Sequence, residues 1–244
     1  MTAPAAGSAG PTANPVADTA ALRESTDRLL AAVRKLDDTA LAAPSKLPGW
    51  TRGHVLAHLA RNADALVDVL ADRPMYPSAE AREADIERDA PRPLAAQLED
   101  LSTSAARLDE AMAGLAGERW GATVELRNGV TDLASSLPFR RRIEIELHHV
   151  DLGIGYGLAD MPASFTDREL ENMARRFAGH PGVEPVELRA EDGRVLRTGR
   201  AAGQGETAVT VAGSPTALVG WLTGRTDGTG LTASAADLPT LPPL

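Results

Sequence analysis

A chain of 244 residues, 43% hydrophobic and 24% charged, is long enough to bury one large core or two modest ones. Its formal charge of -9 argues against nucleic acid as a partner, because phosphate binding needs clustered Lys and Arg. The absence of cysteine excludes disulfides, cysteine-ligated zinc and a cysteine nucleophile, so any sulfur chemistry must borrow its thiol from a small molecule. The chain does not open on a basic segment followed by an apolar run, and no stretch reaches the roughly 18 unbroken apolar residues of a membrane span. The cytoplasm is therefore the expected compartment, with no membrane partner.

Residues 1–15 are Ala, Gly, Pro, Ser and Thr with almost no bulky side chains, a composition that predicts a disordered tail. Four long helical patterns follow. The first covers about 18–37, with Leu22, Leu29, Leu30, Val33 and Leu36 as its apolar stripe. The second begins after Pro48-Gly49-Trp50 with Thr51 as N-cap and reaches about Ala71. A short helical piece near 79–88 leads to the third, about 94–115, where Leu94, Leu98, Leu101, Ala105, Leu108 and Met112 recur at helical spacing. The fourth covers about 135–152 and tolerates Pro138 only if the proline falls in the first turn. Four helices that can each hide one face predict a four-helix bundle over residues 16–155.

The texture changes at 153–162, GIGYGLADMP, which reads as a linker. Beyond it the pattern gives a helix at about 166–177 and a hairpin, 185–188 with 194–198, around Glu191-Asp192-Gly193. A third strand at 207–211, a short helix at 214–222 and a last strand near 230–233 complete a small α/β domain over residues 156–244. The fold class is thus α+β. GIGYG follows a helix and is not a dinucleotide fingerprint, and no Gly-x-Ser-x-Gly element is present. The arginine run 140–142 reads as a solvated helix face.

Chemistry concentrates on two helices, which hold four of the five histidines. On the fourth, Glu144 and His148 are one turn apart, about 40° around the axis, and Asp151 returns to nearly the same direction. On the second, His54 and His58 repeat that spacing, with Asn62 one turn further. The His54/His58 pair resembles a zinc-protease helix, but Val55 stands where such a helix carries its glutamate base, so the protease reading fails. Two histidines and one glutamate would leave an open position on a tetrahedral ion, as catalytic zinc requires. A buried hydrogen-bond network is the alternative that spacing leaves open.

Four separated segments, LPGWTRGHVLAHLARNADAL, PMYPSAEAREADI, RRRIEIELHHVDLGIGYG and VAGSPTALVGWLTGRTDG, together resemble the mycothiol-dependent maleylpyruvate isomerases. The resemblance implies a DinB-like four-helix bundle followed by a small α/β domain. It implies zinc held by His58, Glu144 and His148, with mycothiol as thiol cofactor and Arg225 serving catalysis and binding. Asn62 and Asp151 are then candidates to hydrogen-bond the ligating histidines, and His54 is not a ligand. The implied reaction turns cis maleylpyruvate into trans fumarylpyruvate in gentisate degradation. The double bond rotates once a thiolate has added and before it is eliminated. Two alternatives share the pattern: a mycothiol S-transferase or thiol-exchange enzyme on the same scaffold, and a non-enzymatic metal- or thiol-binding protein.

Overall fold

Asn14 starts the first helix, its Oδ1 accepting from Ala17 N at 3.2 Å, and Pro15 takes the first turn, where its missing N–H costs nothing. The expected tail therefore ends before residue 14, because one side-chain cap outweighs the bland composition around it. The remainder of that tail lies outside the residues that the computed structural model describes, 13–243. The chain divides into two compact units between Tyr156 and Gly157, one residue from the expected boundary.

The first unit contains α1 (Pro15–Val33), α2 (Asp38–Ala42), α3 (Arg52–Leu70), α4 (Ala79–Asp89), α5 (Leu94–Ala113) and α6 (Leu137–Asp151). The long helices α1, α3, α5 and α6 form the bundle, α3 packing on α5 and α6, and α1 on α6 and α5. Leu29, Val33, Val55, Leu59, Leu101 and Ile145 are fully buried where these stripes meet. Pro138 sits in the first turn of α6, as its chemistry demands. The sequence patterns did not reveal the hairpin of β1 (Thr123–Glu125) and β2 (Thr131–Leu133), whose Val124 plugs into the bundle core. Strands of three residues are too short to show alternation.

The arginine run departs from expectation. Arg140 is exposed and pairs with Asp132, but Arg141 and Arg142 are 1% and 6% exposed. Consecutive helical residues are turned by about 100°, so three in a row cannot share one outward face. Arg142 Nε donates to Ser25 Oγ at 3.2 Å. The same serine donates to buried Glu146, which also accepts from Arg28 at 2.7 Å and Tyr156 at 2.5 Å, tying α1 to α6.

At the start of α3, Gly53 lies so close to the chain leaving α4 that an added Cβ would stand 2.2 Å from Ala90 O. Gly53→Ala is expected to lower the midpoint of thermal unfolding, although alanine raises helix propensity by about 1 kcal/mol. A higher midpoint would show that α4 yields freely.

In the second unit, α7 (Ala163–Phe177) and α8 (Pro215–Leu222) accompany a four-stranded sheet of order β4-β3-β5-β6. The strands are β3 (Val186–Ala190), β4 (Val195–Thr198), β5 (Val209–Gly213) and β6 (Thr232–Ala233). β3 pairs antiparallel with β4 and parallel with β5, and Gly193 (φ +92°) turns the hairpin. α7 packs on β4 and α8, and α8 on β3 and β5, enclosing Leu170, Phe177, Val186, Leu188, Val211 and Leu218.

Glu169 of α7 is 1% exposed. Burial pushes its carboxyl up to about 8, against the pull of Asn172 and of the Arg176, Arg225 and Arg175 charges. The folded chain therefore holds a proton that the unfolded chain releases above about pH 4.3. That contribution to stability is complete below the unfolded value and is lost as pH rises through about 8. Glu169→Gln is expected to flatten this part of the unfolding-versus-pH profile; an unchanged slope would place the titration elsewhere.

Candidate metal centre

Thr51 caps α3 by accepting from His54 N at 3.3 Å, and His54 Nδ1 faces Thr51 N in return. His54 is thereby occupied at the helix start, its Nε2 3.4 Å from exposed Glu87, away from the trio that its neighbour one turn later joins. His58 is 6% exposed and turns into the bundle. There it meets Glu144 and His148, which α6 presents one turn apart. His58 Nε2 is 3.0 Å from Glu144 Oε2, and His148 Nε2 is 3.3 Å from the same oxygen. One potential ligand atom from each of the three residues lies within 4.8 Å of the others, and the two imidazoles meet edge to face.

The expected supporting residue Asp151 is in place. Its Oδ2 lies 2.9 Å from His148 Nδ1, and a proton donated there leaves the Nε2 lone pair facing Glu144. Asn62 has a different partner: its Oδ1 accepts from Arg141 Nη1 at 2.7 Å rather than meeting an imidazole of the trio. Residue 62 is 5% exposed, and a hydrogen bond to it also helps place the Tyr76 hydroxyl. Arg225 belongs to the second unit, in the turn after α8, where its Nη1 donates to Thr223 O at 2.7 Å.

Three residues given no role by the sequence reading stand beside the trio. Arg82 of α4 places Nη2 3.1 Å from His58 Nδ1, and its guanidinium lies 5.8 Å from the Tyr76 ring centroid. Trp50 packs its ring 5.6 Å from that of His58. Arg141 precedes Glu144 by three and His148 by seven, so it belongs to their stripe, a signal that the spacing did contain. For Arg82 and Trp50 no sequence interval to His58 betrays the contact.

The electrostatics suit a cation. Burial brings His58 down to about 4, so the ring is neutral near pH 7. Burial works against the charged forms of Glu144 and His148 too. Yet hydrogen bonds to the two histidines hold the Glu144 carboxyl well below the usual carboxylate range, and Asp151 and Glu144 raise His148. The cluster thus favours positive charge at its centre. Two imidazole nitrogens and one carboxylate are the donor set of an open zinc site, and the Glu144 side chain is 35% exposed, leaving a way in. Among the described residues, this is the group of three or more His and acidic side chains able to converge on one ion. Asp151→Asn is expected to weaken metal binding by about 10–100-fold in a chelator competition. Unchanged affinity would separate Asp151 from the site.

The comparisons with known proteins bear on family and fold. Residues 22–153 match the sequence model of the mycothiol maleylpyruvate isomerase N-terminal domain, and residues 160–243 match that of the corresponding C-terminal domain. A crystal structure of the mycothiol-dependent maleylpyruvate isomerase is 28% identical, with a TM-score of 0.85 over 95% of this chain and 97% of that one. A histidine-to-alanine mutant of that enzyme is 27% identical, with a TM-score of 0.86 over the same shares. A search among curated proteins finds no match. With both domain models matched in order over most of its length, the chain belongs to the mycothiol maleylpyruvate isomerase family.

Proposed function

We propose that this protein is a metal- and mycothiol-dependent cis–trans isomerase that converts maleylpyruvate to fumarylpyruvate. The observation that carries the reading is the convergence of His58, Glu144 and His148 within 4.8 Å on two helices of a chain with this family membership. We assign these three side chains as ligands of one divalent ion, zinc being the metal best suited to the donor set. When bound, such an ion supplies Lewis acidity and lowers the pKa of a coordinated thiol, whose free value of about 8.5 leaves it mostly protonated at neutral pH.

The chain's own residues do the rest. Asp151 fixes the His148 tautomer by accepting from Nδ1. Trp50 walls the His58 side, and Arg141 sets Asn62 beside Tyr76. Tyr76 also lines an open cavity of about 520 Å³ whose wall mixes apolar Val69, Met75 and Val124 with charged Asp72, Glu125 and Arg127. Arg225 is assigned to hold a substrate carboxylate through its planar fork and to stabilise charge on the enolate that forms when the thiol adds. The absence of cysteine is consistent with a thiol brought by a small molecule. Among the described residues, no helix is long and apolar enough to cross a membrane.

The test follows maleylpyruvate by absorbance while mycothiol and metal are each left out. Turnover should require both, disappear with chelation, and be lost in His58→Ala and His148→Ala. Arg225→Ala should abolish isomerisation yet spare thiol transfer to a simple electrophile. Thiol transfer without any isomerisation by the wild-type protein would replace this reading with that of a mycothiol S-transferase.

A further inference from the structure

Arg141 of α6 carries a buried charge that its surroundings leave uncompensated. Its Nη1 donates to the neutral amide oxygen of Asn62 at 2.7 Å, while Nη2 is buried and has no hydrogen-bond partner among the described residues. Glu144 and Asp64 attract it through charge alone, with no hydrogen bond to either. Burial brings its pKa down to about 10, which still leaves the guanidinium cationic near pH 7. The next residue shows the contrast: Arg142 donates to Ser25 and has the Glu146 carboxylate 3.8 Å away. A buried ion without an opposite charge is costly, and an anion placed beside it would offset that cost.

Arg141 also forms part of the wall of a cavity of about 290 Å³ between α1 and α5. Leu22 and Leu30 of α1 and Ala105 and Leu108 of α5 give that wall its apolar surface. Arg23 and Asp109 pair across it at 2.5 Å, so their charges cancel, and with side chains 52% and 38% exposed the pair is weak enough to part for a ligand. Exposed Asp27 adds a negative charge to the same wall. These features specify a ligand: one negative head for the guanidinium, an apolar body for the leucines, and no second anionic group, which Asp27 would repel. The volume lies at the small end of ligand sites, roughly 300–1,000 Å³, and suits a single ring or a short branched chain.

We propose that the cavity between α1 and α5 binds a small monocarboxylate with an apolar body, whose head accepts a hydrogen bond from Arg141 Nη2. Asn62 prepares the guanidinium for this by holding Nη1, so little side-chain freedom is lost when the anion arrives. A charge-assisted bond to a carboxylate is stronger than one between neutral groups, and here it would form away from bulk water. The site is separate from the metal centre: none of His58, Glu144 and His148 lines the cavity. It also calls for a singly charged ligand, whereas maleylpyruvate is a dicarboxylate. The site therefore does not depend on the isomerase reading.

The experiment titrates the full chain by calorimetry with benzoate, and with benzamide and phthalate for comparison, in wild type, Arg141→Met, Ala105→Leu and His58→Ala. Wild type should bind one benzoate per chain, and His58→Ala should bind it equally well. Arg141→Met, which keeps the length of the side chain and removes its charge, should weaken binding about tenfold or more, the scale of one charge-assisted hydrogen bond. Ala105→Leu leaves the guanidinium in place and fills the cavity from α5, so it should weaken binding to a similar degree. It decides the matter if the methionine variant does not fold. Benzamide and phthalate should each bind about tenfold more weakly than benzoate, the one lacking the charge and the other carrying a second. No benzoate binding by wild type, or undiminished binding in either folded cavity variant, would overturn the site. Loss of benzoate binding in His58→Ala would assign the anion to the metal centre instead. Phthalate binding as tight as that of benzoate would overturn the preference for a single charge.

Discussion

Everything in the first unit that bears on chemistry depends on one carboxylate held between two imidazoles. Glu144 Oε2 stands 3.0 and 3.3 Å from nitrogens of His58 and His148. A partly buried charge is costly unless it is paired, and here hydrogen bonds to the two histidines hold the Glu144 carboxyl well below the usual carboxylate range against the opposing effect of burial. The arrangement works only because α3 and α6 pack side by side, with the flanking stripes of Leu59 and Ile145 drawn into the core. The apolar packing positions the site, and the site places polar groups where the packing alone would favour leucine.

A ring of supporting contacts determines which nitrogen and oxygen atoms face inward. Asp151 aims His148, Thr51 occupies His54 at the helix start, and Arg141 engages Asn62. Of these contacts, the one from Asp151 reaches the trio itself, because a proton donated to it from His148 Nδ1 leaves Nε2 facing Glu144. On the other flank of α6, Glu146 gathers Ser25, Arg28 and Tyr156, and His149 stacks on Tyr156 at 3.9 Å. That second polar cluster ties α1 to α6 and fixes the rotation of α6 about its axis. A few tens of degrees of rotation would turn Glu144 and His148 away from α3.

Stability and function pull on the same helix. α6 carries three arginines, three acidic residues and two histidines within twelve positions, a poor choice for a bundle core on hydrophobicity alone. It persists because nearly every buried member has a named partner and because α1 and α3 supply the apolar surface that α6 lacks. Sites that break local rules in this way are where function concentrates.

The sequence by itself carried the four long helices and the bundle followed by a small α/β unit, and through the family resemblance it offered the trio as candidate ligands, but it did not show the short helix α2. Apolar periodicity, the Thr51 cap and the one-turn spacing of Glu144 and His148 are local properties, written within a few residues of one another. The tertiary structure decided what spacing cannot encode. It set Arg82 against His58 across 24 positions, buried Arg141 and Arg142 where a charged run suggested solvent, and gave Asn62 to an arginine instead of an imidazole. It also formed a hairpin from strands too short to leave a pattern. In each case the physical reason is the same: which polar group a side chain meets depends on how two elements distant in sequence are rotated against each other, and that rotation is fixed by the core as a whole.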